Sequence, residues 1–141
     1  MILSRRGALL AAGGAAAALL TARIGSAAEI VVEMSGRPDG SRVWFDPVGI
    51  HIAPGTIVRW RNVDPGNAHT ATAYHPDNGG HPLRMPASTS AWDSDYLLPG
   101  ESFAAAFGVE GVYDYFCRPH EHAGMVGRIV VGSPPEPDWS A

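Results

Sequence analysis

The chain has 141 residues, a formal charge of −4 and a single cysteine. That length suits one domain with its own core, and an acidic balance argues against nucleic acid, whose phosphates call for a basic face. One cysteine excludes an internal disulfide.

Residues 1–28 read as an export signal of the twin-arginine type, the alternative being an ordinary secretory signal whose basic end happens to be Arg-Arg. Arg5 and Arg6 precede an uncharged run from Gly7 to Leu20, and Ser26 and Ala28 stand three and one places before a cut at Glu29. The run is too short for a membrane span, and a small-residue cut site follows it. Ser4-Arg5-Arg6 fits a twin-arginine motif, with Ala8 where a bulky apolar residue is usual. The expected destination is the periplasm or the medium, with no stable membrane insertion. Removing 28 of the 141 residues leaves 113, in which 7 of the 10 basic residues face all 14 acidic ones, a charge near −7. In an oxidising compartment the lone thiol requires a role: intermolecular pairing, reactivity or capture by a metal.

After Glu29 the pattern has the period of strands. The segments 29–34, 42–45, 48–53, 56–62, 69–74, 101–107, 111–116 and 125–132 are strand-length and alternate or carry β-branched and aromatic residues. Val58 and Trp60 share one face while Arg59 and Arg61 share the other, and Phe103, Ala105 and Phe107 form a further apolar face. Pro54-Gly55, Asp64-Pro65-Gly66 and Pro99-Gly100 punctuate the strands. About eight short strands predict an all-β, two-sheet β-sandwich over 29–132. Residues 75–100 break the rhythm as a long connection with four prolines, where a helical turn near Ala91 to Tyr96 is expected. Residues 133–141 form a proline-rich tail, expected to be extended and unimportant to the core.

Chemistry concentrates in "YFCRPHEHAGMVG", Tyr115 to Gly127. A strand ending at Cys117 shares a face with Tyr113 and Tyr115, His120 follows three residues on, and Met125 opens the last strand. Thiolate, imidazole and a distant thioether make up most of a blue-copper ligand set, which needs a second imidazole. His69 is the best candidate because it follows a turn and opens a strand. Three other readings stay open. Cys117 and His120 would serve as nucleophile and base, but Met125 then has no role and no oxyanion-hole glycine motif adjoins Cys117. A zinc site has no use for the thioether. A buried structural cysteine leaves the spacing to chance. His122 reads as exposed, since a trinuclear copper centre needs several His-x-His pairs. His75 and His81 with Asp77 are a weaker candidate for a second metal, His51 is expected at the surface, and Trp60 and Trp92 are expected in packing.

The segments "FDPVGIHIAPGTIVRWRN", "NAHT" and "GVYDYFCRPHEHAGMVGRIVV" resemble the plastocyanin-like branch of the cupredoxins, and most closely halocyanin-type proteins, over Glu29 to Gly132. The resemblance implies a Greek-key cupredoxin sandwich with one type 1 copper ion. It implies His69, Cys117 and His120 as equatorial ligands and Met125 as the axial one. It also implies a monomeric one-electron carrier, not an enzyme, that docks a cytochrome or a copper or haem enzyme near His120. Pro119, Ala123 and Gly124 would form that docking patch. Copper storage or delivery is the alternative with the same ligands. Two features depart from the family pattern: Thr70 stands where plastocyanins usually have Asn, and the 75–100 segment is longer than in compact members.

Overall fold

The computed structural model describes residues 26–139; the expected signal lies almost wholly outside them. Eight strands follow in chain order: β1 (Glu29–Gly36), β2 (Val43–Asp46), β3 (Gly49–Ile52), β4 (Thr56–Asn62), β5 (Thr72–Ala73), β6 (Ser102–Phe107), β7 (Gly111–Phe116) and β8 (Val126–Val131). They form two four-stranded sheets, ordered β2-β1-β4-β6 and β3-β8-β7-β5. The pairs β1–β4 and β3–β8 are parallel and the other neighbours antiparallel. This is the two-sheet sandwich that the alternation predicts.

In β4, Val58 and Trp60 are fully buried between the sheets. Arg59 and Arg61 point outward and pair with Glu29 and Glu33 of β1, exposed contacts that add little stability. Trp60 centres an aromatic cluster, edge-on to Tyr115 at 5.3 Å and stacked on Trp92 at 5.9 Å. Burial of such rings supplies the largest share of apolar area per residue in a small core. Both tryptophans therefore serve packing, as expected.

Every residue of β7 is buried. Its inward side chains, Tyr113 and Tyr115, meet the core, and its outward ones are covered as well. Arg128 donates two hydrogen bonds to Asp114, and Trp139 Nε1 donates a third at 3.0 Å. The tail touches the body of the protein: Pro134 to Trp139 line a groove with Leu83, Met85 and Val112, and Trp139 reaches Asp114 because that buried carboxylate has acceptor capacity beyond Arg128.

Two expectations change. The strand foreseen at 69–74 shrinks to Thr72–Ala73, flanked by single bridges of His69 to Leu97 and Thr72 to Asp93. No helical turn forms at Ala91 to Tyr96, because that backbone is hydrogen-bonded elsewhere: Trp92 accepts from Ala73 N–H, and Ser94 N–H donates to Ala71. The long connection therefore lies against the edge of the second sheet.

β7 runs antiparallel to both β5 and β8. The end of β7 and the starts of β5 and β8 consequently share one pole, which brings the segments holding Cys117, His69 and Met125 together.

Gly127, paired with Tyr115 across the β7–β8 ladder, is required for space: a Cβ there would overlap the Tyr115 ring, which Trp60 and Phe45 wedge in place. Gly127→Ala is expected to cost about 1–3 kcal/mol through overpacking. Urea unfolding checks this, and an unchanged midpoint would contradict it.

Candidate metal centre

Cys117 follows β7 directly, in extended conformation, and a 3-10 segment, Arg118–Ala123, starts after it with Pro119 in its first turn. Gly124 closes that segment with a positive φ of 83°, a conformation glycine adopts without cost. The return is tight: Cys117 N–H donates to Met125 O at 3.0 Å, and Met125 N–H donates to His120 O at 3.2 Å. Met125 is fully buried, and these two bonds tie its backbone to the other two donors of the loop.

Three donor atoms meet. Cys117 Sγ lies 3.4 Å from His120 Nδ1 and 3.6 Å from His69 Nδ1, and the two imidazole nitrogens are 3.1 Å apart. His69 and Cys117 are fully buried, while His120 is half-buried. Among the described residues this is the one group of three such side chains close enough to share an ion.

Asp64, buried at the turn after β4, decides how His69 is presented. Its Oδ2 accepts from His69 Nε2 at 2.9 Å and from Asn67 Nδ2 at 2.9 Å, and its Oδ1 accepts from Gly66 N–H at 2.9 Å. Burial alone would raise its pKa, but the hydrogen bonds from Asn67, Gly66 and His69 prevail and hold it below the usual carboxylate range. An ionised carboxylate only accepts, so the His69 proton sits on Nε2 and the Nδ1 lone pair faces Cys117.

Burial works against charge on the two other donors. Burial pushes the Cys117 thiol up, against the opposing hydrogen bond from Thr70 N–H at 3.3 Å. Burial and then the neighbouring His69 push His120 down. Thr70 fills the place where Asn was expected and still ties the loops together, its Oγ1 accepting from Arg118 N–H at 2.8 Å.

Glu121 anchors the ligand-bearing loop to the long connection. It accepts from Tyr74 OH at 2.8 Å and pairs with His81 Nε2 at 3.0 Å. Burial opposes both charges, yet the pairing prevails, holding His81 above and Glu121 below its ordinary range.

The remaining histidines lie outside the group. His122 and His51 are exposed, as expected. His81 spends both nitrogens on Asn78 O and Glu121, and His75 pairs loosely with Asp77 at 3.6 Å, so the second metal site weighed from His75, His81 and Asp77 does not assemble. Sequence reasoning missed Asp64, Glu121 and the acceptor role of Thr70. For Asp64 a signal existed: an acid in the turn five residues before the candidate ligand.

Comparisons with known proteins agree with this geometry. Residues 32–132 match the model for copper binding proteins of the plastocyanin/azurin family. The chain is 38% identical over 122 residues to chloroplastic plastocyanin of Tetradesmus obliquus, covering 86% of this chain and 78% of that protein. It is 31% identical over 128 residues to pseudoazurin of Methylorubrum extorquens, covering 89% and 76%. The solved structure of pseudoazurin from Methylobacterium extorquens AM1 superposes with a TM-score of 0.59 at 25% identity, covering 77% of this chain and 78% of that one.

Asp64→Asn tests the buried carboxylate in the metal-free protein. One amide cannot accept on both sides as Asp64 does, so at pH 7 we expect a loss of about 1.5–3 kcal/mol, the range for hydrogen bonds to a charged group. The folded pKa is depressed, so this contribution is present above the unfolded value of about 3.9 and is lost as pH falls through the folded one. Urea unfolding should show a gap between the two proteins at pH 7 that narrows below about pH 4; a gap independent of pH would contradict the assignment.

Proposed function

The chain belongs to the plastocyanin/azurin family of copper-binding proteins, and on that premise we propose that it is a type 1 copper protein carrying single electrons between redox partners. His69, Cys117 and His120 would hold the ion with Met125 as the weak fourth ligand. The observation that carries this reading is the convergence of one sulfur and two imidazole nitrogens at 3.1–3.6 Å. Metal–nitrogen and metal–sulfur bonds of about 2.0–2.3 Å set the donors of one ion about 3.3–3.7 Å apart; both sulfur–nitrogen separations lie in that window and the nitrogen–nitrogen one is about 0.2 Å short of it, so a small opening of the two rings lets the residues present fit such an ion. A soft thiolate with two imidazoles and a nearby thioether fits copper better than zinc.

Bound there, copper supplies a one-electron Cu(I)/Cu(II) couple without making or breaking bonds to substrate. The protein's part is to hold the donors still. Asp64 fixes the His69 ring, the Cys117–Met125 and Met125–His120 hydrogen bonds fix the loop, and the sandwich excludes water from His69, Cys117 and Met125. These features support a carrier over an enzyme, in agreement with relatives named plastocyanin and pseudoazurin. They also favour retention of the metal over its delivery, since only His120 is partly open to solvent.

His120 would be the electron port. The flanking Pro119, Ala123 and Gly124 are exposed and uncharged, a surface suited to close, brief contact with a cytochrome or a copper or haem enzyme. Met1 to Ala28 would act as the export signal, delivering residues 29–132 as the copper domain and 133–141 as its tail to the periplasm or medium. Among the described residues no helix is long and apolar enough to cross a membrane.

Adding one equivalent of Cu(II) to residues 29–141 should give an intense thiolate-to-copper absorption band and narrow EPR hyperfine splitting. Both should vanish in Cys117→Ser. A colourless protein, or a weak spectrum indifferent to Cys117, would overturn the reading.

A further inference from the structure

The long connection touches the ligand-bearing loop at a second place, separate from the Glu121 contacts. Four residues there, Thr70, Thr72, Asp93 and Arg118, form a closed circuit that begins and ends on the residue following Cys117. Arg118 N–H donates to Thr70 Oγ1 at 2.8 Å. Thr70 Oγ1 and Thr72 Oγ1 are 2.8 Å apart. Thr72 Oγ1 donates to Asp93 Oδ1 at 2.9 Å, and Arg118 Nη2 returns to Asp93 Oδ2 at 3.3 Å.

The direction of each bond follows from the groups present. A carboxylate only accepts, so the one proton of Thr72 goes to Asp93. Thr72 Oγ1 is then free to accept only, and the proton of Thr70 goes to Thr72. With that proton committed, a Thr70 lone pair is left facing the Arg118 amide. The same Thr70 backbone N–H donates to Cys117 Sγ. Thr70 and Thr72 are fully buried, and each bond in such a chain polarises the next.

Asp93 is itself held rigidly. It bridges to Thr72 through the backbone, with Trp92 and Ser94 bonded to Ala73 and Ala71 on either side. The Arg118 guanidinium is fixed by Asp95 at 2.7 Å and lies 5.0 Å over the Tyr96 ring. An exposed Arg–Asp pair alone contributes little; the buried hydroxyl chain gives the circuit its force.

We infer that Thr72 and Asp93 are positioning residues for the metal site: through Thr70 and Arg118 they lock the backbone on which Cys117 is presented. The 92–96 part of the long connection is, on this inference, a strut of the copper centre. The inference rests on the copper reading for its functional half, and its structural half is independent of copper.

Thr72→Val, which keeps the shape and removes the hydroxyl, tests it in two measurements, with Thr72→Ser as the conservative rescue. In the copper-free protein, amide hydrogen exchange of Arg118 should rise about tenfold in Thr72→Val while Val58 and Trp60 stay protected, the loss of order one hydrogen bond carries. In the Cu(I)-loaded protein, release to a bicinchoninate chelator should quicken about tenfold, the lower end of what partners of metal ligands carry. Thr72→Ser should restore both. Unchanged exchange and release in Thr72→Val, or a Thr72→Ser that behaves like it, would overturn the inference. Should Thr72→Val fail to fold, Asp93→Asn, which sets an amide donor against the Arg118 guanidinium or Thr72, is read the same way. A wild type that never turns blue while Arg118 exchange still responds would sink the copper reading and leave the strut standing.

Discussion

The structure depends on the way β7 is paired. Because it runs antiparallel to β5 on one side and β8 on the other, its last residue must lie beside the first residues of both neighbours. A donor at the end of β7, one before β5 and one before β8 are then at one pole without any special loop. Burial on both faces makes β7 hard to shift in register, and a one-residue slip would turn Cys117 away from the core. The sandwich thus acts as a jig for three segments far apart in sequence.

What the jig brings together would not stay together by itself. A buried thiol and two imidazoles at 3.1–3.6 Å carry no mutual salt bridge, and burial works against charging Cys117 and His120. The order comes from the surroundings. Asp64 faces His69, Glu121 ties the 3-10 segment to Tyr74 and His81, and Thr70 joins the two ligand-bearing loops. A metal entering such a site has to displace the Cys117 proton, so affinity should depend on pH in the way common to thiolate sites.

Most of the fold was readable because alternation is local. Strand β4 was read with the bounds it has, since Val58 and Trp60 alternate with Arg59 and Arg61 and turns flank both ends. Cys117, His120 and Met125 were readable for the same reason, falling within one turn and the start of one strand. His69 needed the further idea that strand ends gather at poles. Thr72 and Asp93 were out of reach: they lie 21 residues apart and their pairing is set by an aperiodic connection. The contact of the tail was out of reach on the same ground, since nothing in "SPPEPDW" signals that Trp139 reaches Asp114.

On the copper reading, the protein presents its donors in one arrangement whatever the metal's state. High-resolution crystal structures of the metal-free, Cu(I) and Cu(II) forms would test it most directly. His69 Nδ1, Cys117 Sγ and His120 Nδ1 should keep their positions within about 0.5 Å across the three, the tolerance a preorganised site requires. A His69 ring turned away from Cys117, or a reorganised Arg118–Ala123 segment in any of the forms, would contradict it.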